Sequence, residues 1–368
     1  MARIEQLPYH IALSLIPGIG CINAKSLIAY MGSVEAVFEA KESHFRKVPG
    51  IGPVLARSIV ENRDLERGKQ ELPFLTKHKI QTYFYLDDDY PTRLKSCVDA
   101  PLVLFSMGNI NWNAEKLVAI VGTRNATDYG KKVCDELISE MATRNSYTVV
   151  SGLAYGIDSA AHKACLQHGV STWGVLAHGL DRIYPSLHRS LAERMLVSGG
   201  VITDFISESS IERQNFLRRN RIIAGLTDAT IVVESAEKGG ALVTADIAGS
   251  YNRDVFAVPG RNSDIYSKGC NTLIKQNKAC LIQNLDDLEY FMGWQNQAKS
   301  SQKIQKQLFV SLSGEEQKVM DALSESPVYI DQLCQELHMP MGKVSALLLG
   351  LEFNGLVASL PGKMYRLN

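Results

Sequence analysis

Between about residues 80 and 295, short β-branched apolar runs alternate with helix-length amphipathic segments. The runs are LVAIV, YTVVS, TWGVLA, GVITDF, ATIVVES, DVFAVP and ACLIQ. They are apolar almost throughout, where a half-exposed strand would alternate, so both faces are expected to be covered. Strands of that kind separated by helices predict an α/β domain built on a doubly wound, mostly parallel sheet. A bridging stretch, YFYLDDDYPTRLKSCVDAPLVLFSMG, leads into it. Residues 296–311 (NQAKSSQKIQKQLFVS) are polar and read as a linker.

The flanks follow other patterns. Residues 1–72 are helical in period and contain a repeat: IPGIGCINAKSLIAY and VPGIGPVLARSIVEN begin 32 residues apart. Each places Pro-Gly-Ile-Gly before an amphipathic helix. Glycine allows the positive φ of a tight hairpin, and the helix N-terminus behind it offers unpaired amides to a phosphate. The pair resembles the helix-hairpin-helix motifs of SAM-like DNA-binding domains. Gly18, Gly20, Gly50 and Gly52 are candidate DNA contacts, with packing or protein contact as the competing role. From 312 to 368, three helical stretches precede LVASLPGKMYRLN, whose Pro-Gly marks a β-turn, and that order resembles a winged helix.

Composition narrows the function classes. At 368 residues with 45% apolar and 21% charged positions, the chain can fold as two or three ordinary globular domains. Its 39 basic and 39 acidic residues give no net charge. A non-specific DNA coat usually carries a basic excess, so a nucleic-acid site here must be a local concentration of charge. Seven scattered cysteines with no CxxC pair argue against a disulfide framework or a zinc ribbon and fit a reducing cytoplasm. The N-terminal run HIALSLI is short, ends in PGIG, and is not expected to be a secretory leader. No membrane span is expected, since eighteen apolar residues never run together.

Ligands of open α/β sheets bind beyond the carboxyl ends of the strands. Five such ends carry glycine with small, hydroxyl or basic partners: Gly122-Thr123-Arg124, Ser151-Gly152-Leu153, His178-Gly179, Lys238-Gly239-Gly240 and Gly260. Glycine lets a backbone approach closely, and the helix behind favours negative charge, so an anionic ligand is expected. It is not a P-loop nucleotide, because GxxxxGK[ST] is absent. Nor does GTRNATDYG carry the dinucleotide fingerprint, and no cofactor is expected. The segment ERQNFLRRNRIIAGL supplies Arg213, Arg218, Arg219 and Arg221 around Phe216 and Asn220. Guanidiniums pair with phosphates and an aromatic ring stacks on bases, the combination that holds single strands. Helical spacing puts Arg218 and Arg221 on about one face with Arg219 turned away; at least two of the arginines are expected to face nucleic acid. Asp158 and His162, at i and i+4, could form an acid–base pair. No nucleophile or metal cluster accompanies them, which favours a structural or ligand-positioning role.

The strings YPTRLKSCVDAPLVLFSMG, VAIVGTRNATDYG, VVSGLAYGIDSAAHKACL, FLRRNRIIAGL, GALVTADIAGSYNRDVFAVPG and SKGCNTLIK resemble, in order, the DprA/Smf family of DNA-processing proteins over about 215 residues. The resemblance implies a Rossmann-like core that binds single-stranded DNA without chemistry of its own. It also implies a homodimer, and loading of a RecA-type recombinase onto incoming DNA in natural transformation. The site it implies comprises Gly122, Thr123 and a phosphate clamp at Arg124, backbone donors at Ser151 and Gly152, and Lys163 as a neighbour. Phe216, Arg218, Arg219, Asn220, Arg221 and Gly240 complete it. Two positions depart from the family pattern: Leu217 stands where proline is usual, and Gly239 where serine often occurs. Proline suits a first helical position, so Leu217 bears on where the arginine helix starts.

Two rival classes remain open. Related phosphoribohydrolases use a PGGxGTxxE string, but neither EKGGALVTADIA nor VPGRNSDIY places a glutamate there. A hairpin-motif nuclease would need metal ligands. The three consecutive acids Asp87, Asp88 and Asp89 point different ways on a strand or turn and read as a solvated loop. The would-be recognition helix of the C-terminal domain, GKVSALLLGLEFNG, has only Lys343 as a cation. The domain carries four basic against seven acidic residues, so it is expected to contact protein.

Overall fold

The computed structural model describes residues 2–144, 146–295, 312–323, 326–360 and 362–367. The predicted linker 296–311 lies outside them. Two compact units result, Met1–Leu285 and Asp286–Asn368.

The first unit is built on a nine-stranded sheet. Its strands are β1 (Gln81–Phe84), β2 (Val103–Gly108), β3 (Lys116–Val121), β4 (Tyr147–Ser151), β5 (Ser171–Val175), β6 (Gly200–Thr203), β7 (Ala229–Val232), β8 (Asp254–Ala257) and β9 (Cys280–Leu281). They lie in the order β1-β2-β6-β5-β4-β3-β7-β8-β9. From β3 to β9 every neighbouring pair is parallel. All seven apolar runs therefore form strands, and β4, β6 and β7 are buried along their whole length. The bridging stretch contributes two further strands: β1 pairs antiparallel with β2, and β2 with β6. From β3 the chain steps outward through β4 and β5 to β6. Helix Arg213–Leu226 then carries it back across to β7 on the other side of β3. The direction of winding therefore reverses between β3 and β7, and there the strand ends splay into a crevice.

The N-terminal repeat folds twice into one hairpin. Gly18 and Gly50 adopt φ values of 80° and 83°. Gly20 and Gly52 cap helices Cys21–Met31 and Pro53–Glu61 in extended conformation. The copies pack reciprocally. A Cβ on Gly18 would lie 2.9 Å from Leu55 Cδ2, and one on Gly50 would lie 3.3 Å from Asn23 Oδ1. Residues 18 and 50, like 23 and 55, are equivalent in the repeat. This helical region shares its core with the sheet edge, where Ile11, Leu27 and Ile59 cluster with Phe84, Val103 and Phe105. Buried Glu71 accepts hydrogen bonds from the Ser207 amide at 2.8 Å and its hydroxyl at 2.6 Å.

The second unit holds helices Gly314–Ala322, Ile330–Leu337 and Met341–Phe353. Strand Met364–Leu367 lies between Val328–Tyr329 and Val357–Leu360. Val319, Leu333, Val344, Leu348 and Leu351 form its core, while Leu349 and Phe353 are exposed. Among the described residues no helix is long and apolar enough to cross a membrane.

Two buried ionisable groups set testable energetics. Arg221 is 7% exposed, pairs with Asp204 Oδ2 at 2.6 Å and donates to the Asp99 carbonyl. Removing one partner of a buried pair strands the other charge, so Arg221→Ala should cost about 3–5 kcal/mol in urea unfolding. A loss near zero would show the pair to be solvated. His162 is fully buried, with Nδ1 2.7 Å from Thr172 Oγ1, and burial pulls its pKa down to about 3. It folds neutral. Its stabilisation is therefore complete above the unfolded value near 6.5 and is lost as pH falls towards 3, by up to about 1.4 kcal/mol per pH unit. In His162→Asn the stability–pH curve between about pH 6 and 4 should be measurably flatter than in the parent; an unchanged slope contradicts a buried neutral imidazole.

Candidate nucleic-acid interface

The crevice at the β3/β7 reversal is a cleft of about 520 Å³. Its walls are the turn after β3, the residues after β4 and β7, and the start of helix Arg213–Leu226. The β3 turn is rigid. Gly122 is excluded from carrying a side chain because its Cβ would lie 2.5 Å from Ile157 Cγ1. The Thr123 amide donates to the Glu234 carbonyl at 2.7 Å, and the Thr123 carbonyl accepts from the Ile157 amide at 3.1 Å. The Glu234 carboxylate then accepts the Thr127 amide at 3.0 Å and the Thr127 hydroxyl. Braced from both sides of the reversal, the turn holds Arg124 out over the cleft. The Arg124 guanidinium stacks on the Phe216 ring, 5.3 Å from its centroid.

Arg219 lies at the cleft floor, 4% exposed. One of its terminal nitrogens donates to the Gly152 carbonyl at 2.6 Å and to the Val175 carbonyl, stitching the ends of β4 and β5 together. Gly152 must be glycine, since a Cβ there would lie 2.4 Å from Arg219 Nη2 and 2.6 Å from Asp158 Oδ2. Burial lowers the Arg219 pKa to about 10, with Asp158 opposing that shift and Arg124 adding to it. Three units above neutrality, the group keeps its charge at pH 7. Burial likewise raises the Asp158 pKa, against the pull of Arg219.

The structure gathers Gly122, Thr123, Arg124, Phe216, Arg219, Asn220 and Gly240 around this cleft. It places the other expected residues elsewhere. Ser151 is fully buried and spends its hydroxyl on the Ile120 carbonyl at 2.6 Å, while the Gly152 amide serves Asp158. Neither is among the residues that line the cleft; both lie beneath it. Arg218 and Arg221 do share a face, but it lines a second groove against Gly18, Gly20 and Asn23. There Arg221 is consumed by Asp204, and exposed Arg218 lies over Phe205. Arg219, turned away from that pair, is the one that reaches the cleft. Lys163 lies in a neighbouring groove that shares Arg124. Gly50 and Gly52 line neither. His162 faces Thr172 in the core, so with Asp158 it forms no accessible acid–base pair. Asp87 closes a turn by accepting the Phe84 amide at 2.8 Å, and no metal-holding cluster occurs among the described residues.

Leu217 lies in the second turn of a helix that already begins at Arg213. The helix thus starts a full turn before that position, and its first residue, Arg213, stands at the cleft rim. With Lys238, that gives four cations against one carboxylate in the lining. Sequence reasoning passed over Glu234, Tyr266 and Tyr184. Asn125 Nδ2 donates to the Tyr266 hydroxyl at 3.0 Å. The Tyr184 ring meets Phe216 edge-on at 5.9 Å, on a loop held by the Tyr184 amide donating to His178 Nε2 at 3.1 Å. The Tyr-Pro pair in the loop after His178-Gly179 was the available signal for Tyr184; Glu234 left none, since its partners stand more than a hundred residues away.

Comparison with known proteins places this arrangement. Residues 81–293 match the family model for DNA recombination-mediator protein A, and residues 307–363 match the DprA winged helix domain. Protein Smf of Synechocystis sp. is 33% identical over 402 aligned residues, covering 100% of both chains. DNA processing protein DprA of Bacillus subtilis is 38% identical over 237 residues, 64% of this chain and 75% of that one. Among solved structures, DNA processing protein A of Streptococcus pneumoniae matches with a TM-score of 0.66 at 30% identity, covering 77% of this chain and 97% of that one. DNA processing protein A of Helicobacter pylori, whose structure describes a single-stranded DNA binding mode, matches at 0.53 and 26%, covering 59% and 96%. On the extent of these matches, the chain belongs to the DNA recombination-mediator protein A family, DprA/Smf.

Proposed function

We propose that the cleft at the β3/β7 reversal binds single-stranded DNA, and that the protein carries the strand to a recombinase without chemistry of its own. The observation that carries this reading is the local charge. A chain with no net charge concentrates Arg124, Arg213, Arg219 and Lys238 around one glycine-edged cleft, beside an aromatic ring. Arg124, Arg213 and Lys238 are exposed and make no ion pair among the described residues, so they are available to phosphates. Gly239 and Gly240 open helix Gly240–Ser250 with no side-chain cap, leaving its first amides to the same anion. Phe216 offers its face to a base, which only an unpaired strand can present. Buried Arg219 supplies a fixed positive floor.

The family likeness and the single-stranded DNA bound by the Helicobacter relative support this assignment. In it the protein acts as a cytoplasmic homodimer that loads a RecA-type recombinase during natural transformation. The C-terminal unit, acidic overall and apolar on the outward face of helix Met341–Phe353, meets protein and not duplex DNA.

Titration with oligo-dT and with duplex of equal length tests the cleft. Three rim cations on phosphates give a log–log salt slope of about −2, so raising salt from about 50 to about 200 mM should weaken oligo-dT binding about 20-fold. Arg124→Ala should weaken all sequences about equally and flatten the slope by about 0.7. Salt-indifferent binding, equal affinity for duplex, or turnover of a free nucleotide would remove this reading. Deleting residues 312–368 should leave oligo-dT affinity within about twofold, because that unit has few cations to offer phosphates.

A further inference from the structure

Beside the cleft, across the Arg124 turn, the neighbouring groove that holds Lys163 has a volume of about 760 Å³ and runs between helices Asp128–Arg144 and Ile157–His168. Arg124 and Asn125 line both, so the two spaces meet along the turn that holds the arginine. The groove contains the parts that recognise an unpaired nucleotide. Tyr155 is 45% exposed and makes a T-shaped contact with the ring of buried His188, centroids 5.1 Å apart. His188 Nδ1 is in turn hydrogen-bonded to the Leu153 carbonyl at 2.9 Å. Tyr155 is thus an aromatic surface on a fixed base, with Gln167 in the same lining as an amide able to hydrogen-bond a base edge.

The charges in the groove differ in availability. Lys131 is engaged by Asp128 at 3.0 Å, and Asp135 by His168 at 2.8 Å. Lys163 is exposed and makes no hydrogen bond or ion pair among the described residues. Two unneutralised cations, Arg124 and Lys163, therefore flank an exposed aromatic ring, with a second ring, Phe216, on the far side of Arg124.

We infer that this groove is a second nucleotide subsite. The DNA strand that enters the cleft crosses Arg124, which grips the phosphate between two successive nucleotides. The next base then stacks on Tyr155, and Lys163 takes the phosphate beyond it. This rests on the cleft binding single-stranded DNA, and it adds a direction of travel, away from the N-terminal hairpins, and a minimum strand length.

The full chain is titrated with oligo-dT from about four to about twelve nucleotides, as parent, Lys163→Ala, Lys163→Arg, Tyr155→Leu and Arg218→Ala, with circular dichroism confirming folding. Parent affinity should rise with length. Lys163→Ala and Tyr155→Leu should leave the shortest oligonucleotide unaffected and lose about tenfold on the longest, within the range one base stack provides. Lys163→Ala should also flatten the salt slope by about 0.7 for long strands alone, and Lys163→Arg should restore it. Long-strand binding unchanged in both groove variants overturns the subsite, as does a length-dependent loss confined to Arg218→Ala, which would send the strand to the Gly18 hairpin. Equal losses at every length would merge Lys163 with the cleft and overturn the separate subsite. If the parent bound no oligo-dT of any length, the cleft reading itself would fall and take the subsite with it.

Discussion

A single buried cation organises the ligand end of this sheet. Arg219 donates to the carbonyls that close β4 and β5, across a position where only glycine leaves it room. Taking a guanidinium out of water costs several kcal/mol, and carbonyl dipoles together with Asp158 offset that cost. The charge survives: burial brings the pKa down only to about 10, well above physiological pH. The cleft thus has a buried positive floor, and the exposed cations Arg124, Arg213 and Lys238 stand around it. In the proposed function the buried charge holds the field from below and the exposed charges above are available to the strand.

The same physics separates arginines that neighbour one another in sequence. Within one helix, Arg219 braces strand ends, Arg221 neutralises Asp204 next to the docked N-terminal region, and Arg218 stays at the surface. Three consecutive roles in four residues are what a helix buried on two sides produces, since each step rotates the side chain by about 100°. Arg221 therefore ties the helix that presents Phe216 and Arg219 to Asp204 and to the Asp99 carbonyl.

Much of this was legible in the residues. The seven parallel strands follow from unbroken apolar runs, and the cleft from glycines at their ends. The two antiparallel strands β1 and β2 were not legible: Gln81–Phe84 is only four residues long and runs into an acidic turn, so it reads as a connection. At the site, periodicity correctly separated Arg219 from Arg218 and Arg221. It could not tell which face met the cleft, because that depends on where β6 delivers the helix. Ser151 and Gly152 occupy a strand-end turn as expected, yet face inward, since β4 is central and its end is roofed by Arg219. The braces that aim Arg124, above all Glu234, are pairings between segments far apart in the chain, and local pattern carries no trace of them.

The central claim is geometric, so a crystal structure of the full chain with a short oligo-dT tests it most directly. The account predicts a backbone phosphate within hydrogen-bonding reach of Arg124, a thymine face on Phe216, and Arg219 unmoved beneath them. A strand lodged on the N-terminal hairpins or on the C-terminal unit, with the cleft between β3 and β7 left to solvent, would contradict it.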